Sequence, residues 1–432
     1  MDITSILGIV VFLVLLVMGV PVAFCMLFVG FFGLAGIIGL TPALASAKTT
    51  MYYSIANWLY VCVPMFILMG HFANRSGIIK DIFNFFDVWL GWLPGALAIV
   101  TIATSAIFAF ATGSSLAATA VLGKITLPEM DRYRYNRSLS LGSIVAGGSL
   151  GNLIPPSIGL VLFGIITDQS IGKLLLAAIF PGLVVSLLFI SLIIVRVWRN
   201  PDLVPHRQTA KMTWKEKWSC FGSIWGIFLL IVLVLGSIFA GLATVTEAAS
   251  VGAFGAFLIM IFRKKFSWQS VWGILRETAQ TTAMIFLLIA SVSLFTRFLT
   301  FSQFTSDLGG LVITSGLPPI AVLIGVYLLF LVSGCLMDAT SLMLVLTPIV
   351  FPIVTKLGFN PIWFGVMTVI MIEIGFMTPP VGLCVYVLKS VSDASLVEIF
   401  KSIYPFLAMW LVAVVLMTLF PDIALYLPKM TG

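Results

Sequence analysis

Apolar residues run through this chain in stretches long enough to form membrane helices, which need about 20 residues each. Such stretches fall at 4–19, 22–40, 57–73, 136–166, 171–197, 221–240, 243–262, 276–297, 361–390 and 396–421. Two of them, 136–166 and 361–390, are interrupted midway by Pro155-Pro156 and Pro379-Pro380. Two further apolar stretches, 95–127 and 319–354, are interrupted by Gly, Ser and Asp. These read as re-entrant hairpins that enter and leave the membrane on the same side. The segments 77–92 and 302–315 mix apolar with polar residues and predict amphipathic helices lying along the membrane surface. The N-terminal apolar run continues to Leu40 without a basic lead-in or a small-residue cleavage pattern. It therefore reads as two membrane helices broken at Gly19-Val20-Pro21, not as a signal peptide.

Composition agrees with this pattern. Of 432 residues, 61% are hydrophobic and 9% charged, with mean hydropathy +1.18. A soluble domain carries roughly 25% charged residues, so this chain cannot face water on all sides. The net charge of +7 fits basic residues gathered in cytoplasmic loops. No basic helix or aromatic–basic module supports nucleic-acid binding. The loop after 197 holds Arg196, Arg199, Arg207, Lys211, Lys215 and Lys217 and sets the cytoplasmic side. Counting outward leaves only Lys48, Lys173, Arg297, Lys356 and Lys429 away from that side. The count requires both termini to be periplasmic and both hairpins to be re-entrant. Cys25, Cys62, Cys220, Cys335 and Cys384 form no CxxC pair and read as small apolar side chains. Two histidines, His71 and His206, leave little material for a His-based metal site.

A shift of 224 residues superposes Pro94 on Pro318, Pro128 on Pro352, Pro155 on Pro379, Pro156 on Pro380 and Pro181 on Pro405. Asn136 then falls on Asn360 and Gly151 on Gly375. The chain reads as two repeats, entered from opposite sides of the membrane by the topology above. Inverted repeats of this kind hold their site at the repeat interface, near the midplane. The predicted fold is an all-α polytopic membrane protein with two re-entrant hairpins and two broken helices. Its parts are scaffold helices over 1–56, a first repeat over 57–197, a loop and central scaffold helices over 198–262, and a second repeat over 276–421.

Non-helical backbone at membrane depth survives only where it is buried or lines a watery cavity. There are four such places, two per repeat. The hairpins turn at Ala111-Thr112-Gly113-Ser114-Ser115 and at Ser333-Gly334-Cys335-Leu336-Met337-Asp338-Ala339-Thr340. The helices break at Gly151-Asn152-Leu153-Ile154-Pro155-Pro156-Ser157 and at Gly375-Phe376-Met377-Thr378-Pro379-Pro380. Carbonyls at half-helix C-termini suit a hard cation such as sodium, and N–H groups at half-helix N-termini suit a carboxylate. The candidate cation ligands are Gly113, Ser114, Ser115, Gly151, Gly334, Asp338, Thr340, Gly375 and Thr378. The candidate substrate contacts are Ser114, Ser115, Asn152, Pro155, Pro156, Ser157, Thr378, Pro379 and Pro380. The plainer reading is that Gly and Pro only kink helices while Ser bonds its own backbone. Four breaks paired by a repeat favour the site. Asp338, in a hairpin tip, reads as a sodium ligand. Glu373 either joins a polar network or braces the break.

These residues resemble the large membrane subunit of tripartite ATP-independent periplasmic (TRAP) transporters. The likeness lies in Gly113-Ser114-Ser115-Leu116-Ala117-Ala118-Thr119, Leu127-Pro128-Glu129-Met130, Ile154-Pro155-Pro156-Ser157 and Ser170-Ile171-Gly172-Lys173-Leu174. It continues through Pro181-Gly182, through Asp338 before Thr347-Pro348, and through Thr378-Pro379-Pro380-Val381-Gly382, and covers nearly the whole chain. The resemblance implies a sodium-driven importer of organic acids in the bacterial inner membrane, with an elevator-type mobile domain. It also implies two partners, a small four-helix membrane subunit and a soluble periplasmic substrate-binding protein. A channel is disfavoured by the closed hairpin tips. An intramembrane enzyme is disfavoured because the histidines fall away from those tips and no metal cluster or nucleotide loop is present. The nearest alternative is a stand-alone sodium- or proton-coupled divalent-anion permease.

Overall fold

The computed structural model describes residues 3–204, 217–218, 220–335 and 337–430. His206, Arg207, Lys211 and Lys215 of the basic loop, and Leu336 of the second hairpin turn, lie outside the described residues. The described elements are helical throughout. Six of these helices are long and apolar enough to cross a membrane, or seven if the bent pair Leu40–Ile55 and Trp58–Arg75 is one span. Large apolar side chains such as Val17, Phe32, Leu187, Phe254 and Leu328 are exposed along these and the shorter apolar helices. The exposed indoles of Trp58, Trp92, Trp198 and Trp268 sit at helix ends, where an aromatic belt would meet the lipid headgroups. This is a multi-pass membrane protein.

One group of helices forms a frame. Helices α1 (Ile3–Val17) and α3 (Leu40–Ile55) pack on α2 (Val22–Ile38), and α2 and α3 pack on the long helix α14 (Trp268–Phe301), which α1 also meets through Phe12 and Phe295 at 5.2 Å between ring centres. Helix α4 (Cys62–Arg75) packs on α13 (Val245–Phe262). Helix α5 (Ile78–Leu90) lies against α12 (Phe221–Phe239), with Phe85 edge-on to Phe221 at 4.9 Å between ring centres. Asp81 of α5 pairs with Arg263 at the end of α13, which also donates to the Ser223 carbonyl at 2.7 Å.

The hairpins and broken helices follow in two similar runs. In the first, α6 (Ala96–Thr112), α7 (Ser115–Arg132), α8 (Arg137–Gly148) and α9 (Ile158–Thr167) lead into α10 (Ile171–Ala177) and α11 (Ile179–Arg199). In the second, α15 (Phe304–Thr314) leads to α16 (Pro319–Gly334), α17 (Ala339–Lys356), α18 (Pro361–Met377) and α19 (Leu383–Ser390). Helices α20 (Leu396–Leu419) and α21 (Asp422–Met430) close the chain. Side-chain caps set the boundaries. Ser114 opens α7 and Asp338 opens α17, while Asn136 and Asn360 open α8 and α18. The Pro155–Pro156 and Pro379–Pro380 peptide bonds at the two helix breaks are cis. The centres of the two runs form the core: residues 139–148 of α8 and 362–377 of α18 are buried without exception. The runs also exchange partners, since α9 packs on α17 and α19 packs on α7.

Several boundaries differ from the sequence expectation. Helix α3 is missing from that expectation, because Ser46, Lys48, Thr49 and Thr50 dilute its hydropathy; it is held by packing on α14, where Arg297 donates to Thr50. The stretch at 276–297 extends to the single 34-residue helix α14, because Ser267 caps it well before the polar Arg276 and Glu277. The stretch at 57–73 starts as a 3₁₀ turn over Trp58–Val61 before α4. The stretch at 221–240 loosens to a π turn over Val232–Gly236.

Candidate functional site

The first hairpin tip is made by a helix stop and a helix start in immediate succession. Gly113 closes α6 in the left-handed region at φ 56, its N–H donating to the Ala109 carbonyl at 3.1 Å. Ser114 returns to extended backbone and caps α7 through its hydroxyl, which accepts from the Ala117 N–H. Glycine is required at 113 twice over: by its φ, and because a Cβ would stand 2.6 Å from the Pro156 carbonyl oxygen. A Cβ on Gly151 would stand 2.8 Å from the Ser114 carbonyl oxygen. The first tip therefore rests directly on the first helix break.

The second run repeats this contact with different atoms. Gly334 and Gly375 meet backbone to backbone, so that a Cβ on Gly375 would fall 2.8 Å from the Gly334 Cα. The Cys335 thiol donates to the Pro379 carbonyl at 3.5 Å. Asp338 caps α17 by accepting from the Ser341 N–H at 3.1 Å, and its other oxygen accepts from the Ser341 hydroxyl. Thr378 donates its hydroxyl back to the Ile374 carbonyl at 2.7 Å.

Both tips open on one cavity of about 620 Å³. Of the residues singled out by sequence, Gly113, Ser114, Ser115, Asn152, Asp338 and Thr340 line it. Pro155, Pro156 and Ser157 are buried outside that lining. Ser157 caps α9 and donates to Asn152 Oδ1 at 3.2 Å, which also accepts from the Gly159 N–H at 3.2 Å. Gly151, Gly334, Gly375, Thr378, Pro379 and Pro380 are likewise outside the lining, and Pro380 is exposed. The opposite wall comes from α4 and α14, through His71, Asn74, Glu277 and Thr281. His71 Nδ1 lies 3.4 Å from Glu277 Oε2.

His71 corrects the expectation that the histidines stay away from the tips. It shares the cavity with Ser114 and Ser115, because α4 packs on α6 and turns that face inward. Its partner is Glu277, and among the described residues no hydrogen bond joins it to either serine. The sequence carries a signal for this wall: His71 and Asn74 are three apart, Glu277 and Thr281 four apart, each pair on one face of an apolar helix. Two carboxylates, Asp338 and Glu277, and no Lys or Arg line the cavity among the described residues. An anion placed here would meet hydroxyls and helix ends but no fixed positive charge.

Comparison with known proteins agrees with this architecture. Residues 9–423 match the family described as "Tripartite ATP-independent periplasmic transporter, DctM component". The C4-dicarboxylate TRAP transporter large permease protein DctM of Rhodobacter capsulatus is 31% identical over 398 residues, covering 88% of this chain and 89% of that protein. The sialic acid TRAP transporter large permease protein SiaM of Vibrio cholerae is 31% identical over 419 residues, covering 96% of each. Among solved structures, the YdaH transporter of Alcanivorax borkumensis shares the fold at 15% identity and TM-score 0.59, covering 88% of this chain and 89% of that one. By its sequence from residue 9 to residue 423, this chain belongs to the DctM family, the large permease component of tripartite ATP-independent periplasmic transporters.

Proposed function

We propose that the chain is the translocating subunit of a sodium-coupled importer that takes an organic acid across the bacterial inner membrane. Its partners on this reading are a small membrane subunit and a periplasmic binding protein that delivers the substrate. The dicarboxylate and sialic acid transported by the named relatives are both carboxylates, which supports a carboxylate here. The observation that carries the reading is the cavity itself. It joins both hairpin tips, bears Asp338 and Glu277, and offers no Lys or Arg among the described residues. A carboxylate entering such a cavity needs compensating charge, since an unpaired ion away from bulk water costs several kcal/mol. Cations carried in with the substrate supply it, and the tips offer hard oxygen ligands: the Ser114 and Ser115 hydroxyls, backbone carbonyls and the Asp338 carboxylate.

The mechanism we infer is alternating access by an elevator. Element boundaries support the two-repeat reading: α7 and α17 are offset by 224 residues at both ends, and α8 and α18 at their starts. On the basic-residue count, both termini lie in the periplasm and the hairpins are re-entrant. The repeats span 57–197 and 276–421, and the scaffold includes 1–56 and the helices within 198–262. The hairpins and broken helices move as one body, carrying substrate and sodium past the frame, with α5 and α15 as hinging arms. The test is uptake by vesicles holding the complete membrane complex, with loaded binding protein outside. Accumulation is expected with external sodium and not with potassium. Equal uptake in both salts overturns sodium coupling; full uptake without binding protein identifies a stand-alone permease instead.

A further inference from the structure

The two hairpin tips are not equal in charge. The 224-residue offset puts Asp338 on Ser114 and Glu373 on Ser149. The second tip thus carries a carboxylate of its own, whereas the first carries only serines. Glu373 of α18 stands beside the first tip, because α18 packs on the Ser149–Asn152 turn and on α9. It is completely buried, and the polar side chains facing it are Ser115 and Asn152. Both Glu373 oxygens, the Ser115 hydroxyl and the Asn152 Nδ2 are buried without a hydrogen bond of good geometry, although Ser115 and Asn152 stand close enough to interact with the carboxyl. The other titratable neighbour is Cys384 of α19, and no Lys or Arg acts on the carboxyl among the described residues. The counterpart, Ser149, is engaged elsewhere, its hydroxyl accepting from the Trp410 indole N–H at 3.2 Å.

A buried carboxylate with no counter-charge costs several kcal/mol. A cation among Glu373, Ser115 and the tip carbonyls would satisfy all of these groups at once, with Asn152 Nδ2 free to donate to the carboxylate. Ser115 and Asn152 also line the cavity, so such an ion has a route in. We propose that Glu373 completes the cation site of the first hairpin tip across the repeat boundary, its carboxylate supplying the negative charge for a sodium ion held at Ser115. Each tip then has one carboxylate: Asp338 within its own repeat, and Glu373 lent by the second repeat to the first. This inference rests on the sodium-coupled reading above and adds a ligand to it.

The experiment compares wild type, Glu373→Gln and Glu373→Asp in the full membrane complex with its binding protein. Sodium is titrated at fixed substrate, and each sodium curve is repeated across pH. Glu373→Gln keeps shape and removes charge. It should raise the half-saturating sodium about tenfold or more and lower the Hill coefficient for sodium, with complex assembly intact. Glu373→Asp holds the charge one methylene further from Ser115 and should lie between the two. Should Glu373→Gln fail to assemble, the aspartate variant decides alone, and wild-type sodium dependence in it overturns the proposal. An unchanged sodium curve in Glu373→Gln, beside a sodium-dependent wild type, overturns this inference and leaves the transport reading intact. A flattened pH profile with unchanged sodium dependence makes Glu373 a proton carrier and also overturns it. Absence of sodium dependence in wild type overturns both.

Discussion

The contact between Gly334 and Gly375 gives the sharpest test of the second tip. A methyl group added at 375 would lie 2.8 Å from the Gly334 Cα and 2.9 Å from its carbonyl carbon. These are backbone atoms, so no side-chain rotation relieves the clash. Overpacking of this kind costs about 1–3 kcal/mol. Lifting the tip that carries Asp338 away from the break at Gly375 would release the strain. If that separation falls on the cation site, half-saturating sodium rises about 5- to 150-fold. The reciprocal change is milder. A Cβ at 334 meets the Gly375 Cα at 3.3 Å and the Leu342 Cδ2 at 3.4 Å, which a shift of a few tenths of an ångström accommodates. Gly334→Ala should cost under about 1 kcal/mol, a change of at most roughly fivefold. Gly325, on the same helix, has open space around its Cβ position, so Gly325→Ala serves as the control and should be neutral. The assay is sodium-dependent uptake by reconstituted complex, with thermal unfolding measured alongside. Wild-type sodium dependence and stability in Gly375→Ala would show that this close approach is not part of the working protein.

Asp338→Asn keeps an acceptor for the Ser341 N–H, puts an NH2 where the other oxygen accepts from the Ser341 hydroxyl, and removes the charge. It should raise half-saturating sodium about 10- to 150-fold, equivalent to roughly 1.4–3 kcal/mol, while Ser114→Ala should act only a few-fold; normal sodium dependence in Asp338→Asn removes it from the ligand set. Helix α14 of the frame packs on α17 of the second hairpin, and a reversible crosslink between them should stop transport but spare assembly. Full transport with the crosslink complete refutes the elevator. The partly buried Arg263–Asp81 pair ties α5 to the frame. Arg263→Ala and Asp81→Asn should each lower stability by about 1 kcal/mol and be non-additive together, and additive unfolding shifts would mean the pair contributes nothing.

Much of this protein is written in local sequence. Low charge and long apolar runs specify a membrane protein, because unpaired backbone and charge are not tolerated in lipid. Helix ends are equally local: Gly113 stops α6, Ser114 and Asp338 start α7 and α17, and the Pro–Pro pairs leave α8 and α18 without a continuing partner. These are interactions between residues a few positions apart, so a sequence pattern can carry them. The amphipathic and polar segments are less legible. Helix α3 has too little apolar surface to announce itself, and it exists because α14 offers a partner some 250 residues away. What only the tertiary structure decided is which side chains meet. His71 and Glu277 close a cavity against tips far from them in sequence, and Glu373 faces Ser115 and Asn152 across more than 200 residues. No periodicity encodes such meetings, because the rotation of each helix about its axis is fixed by packing against neighbours from elsewhere in the chain. Local sequence thus determined where the backbone breaks, and helix packing determined what those breaks can bind.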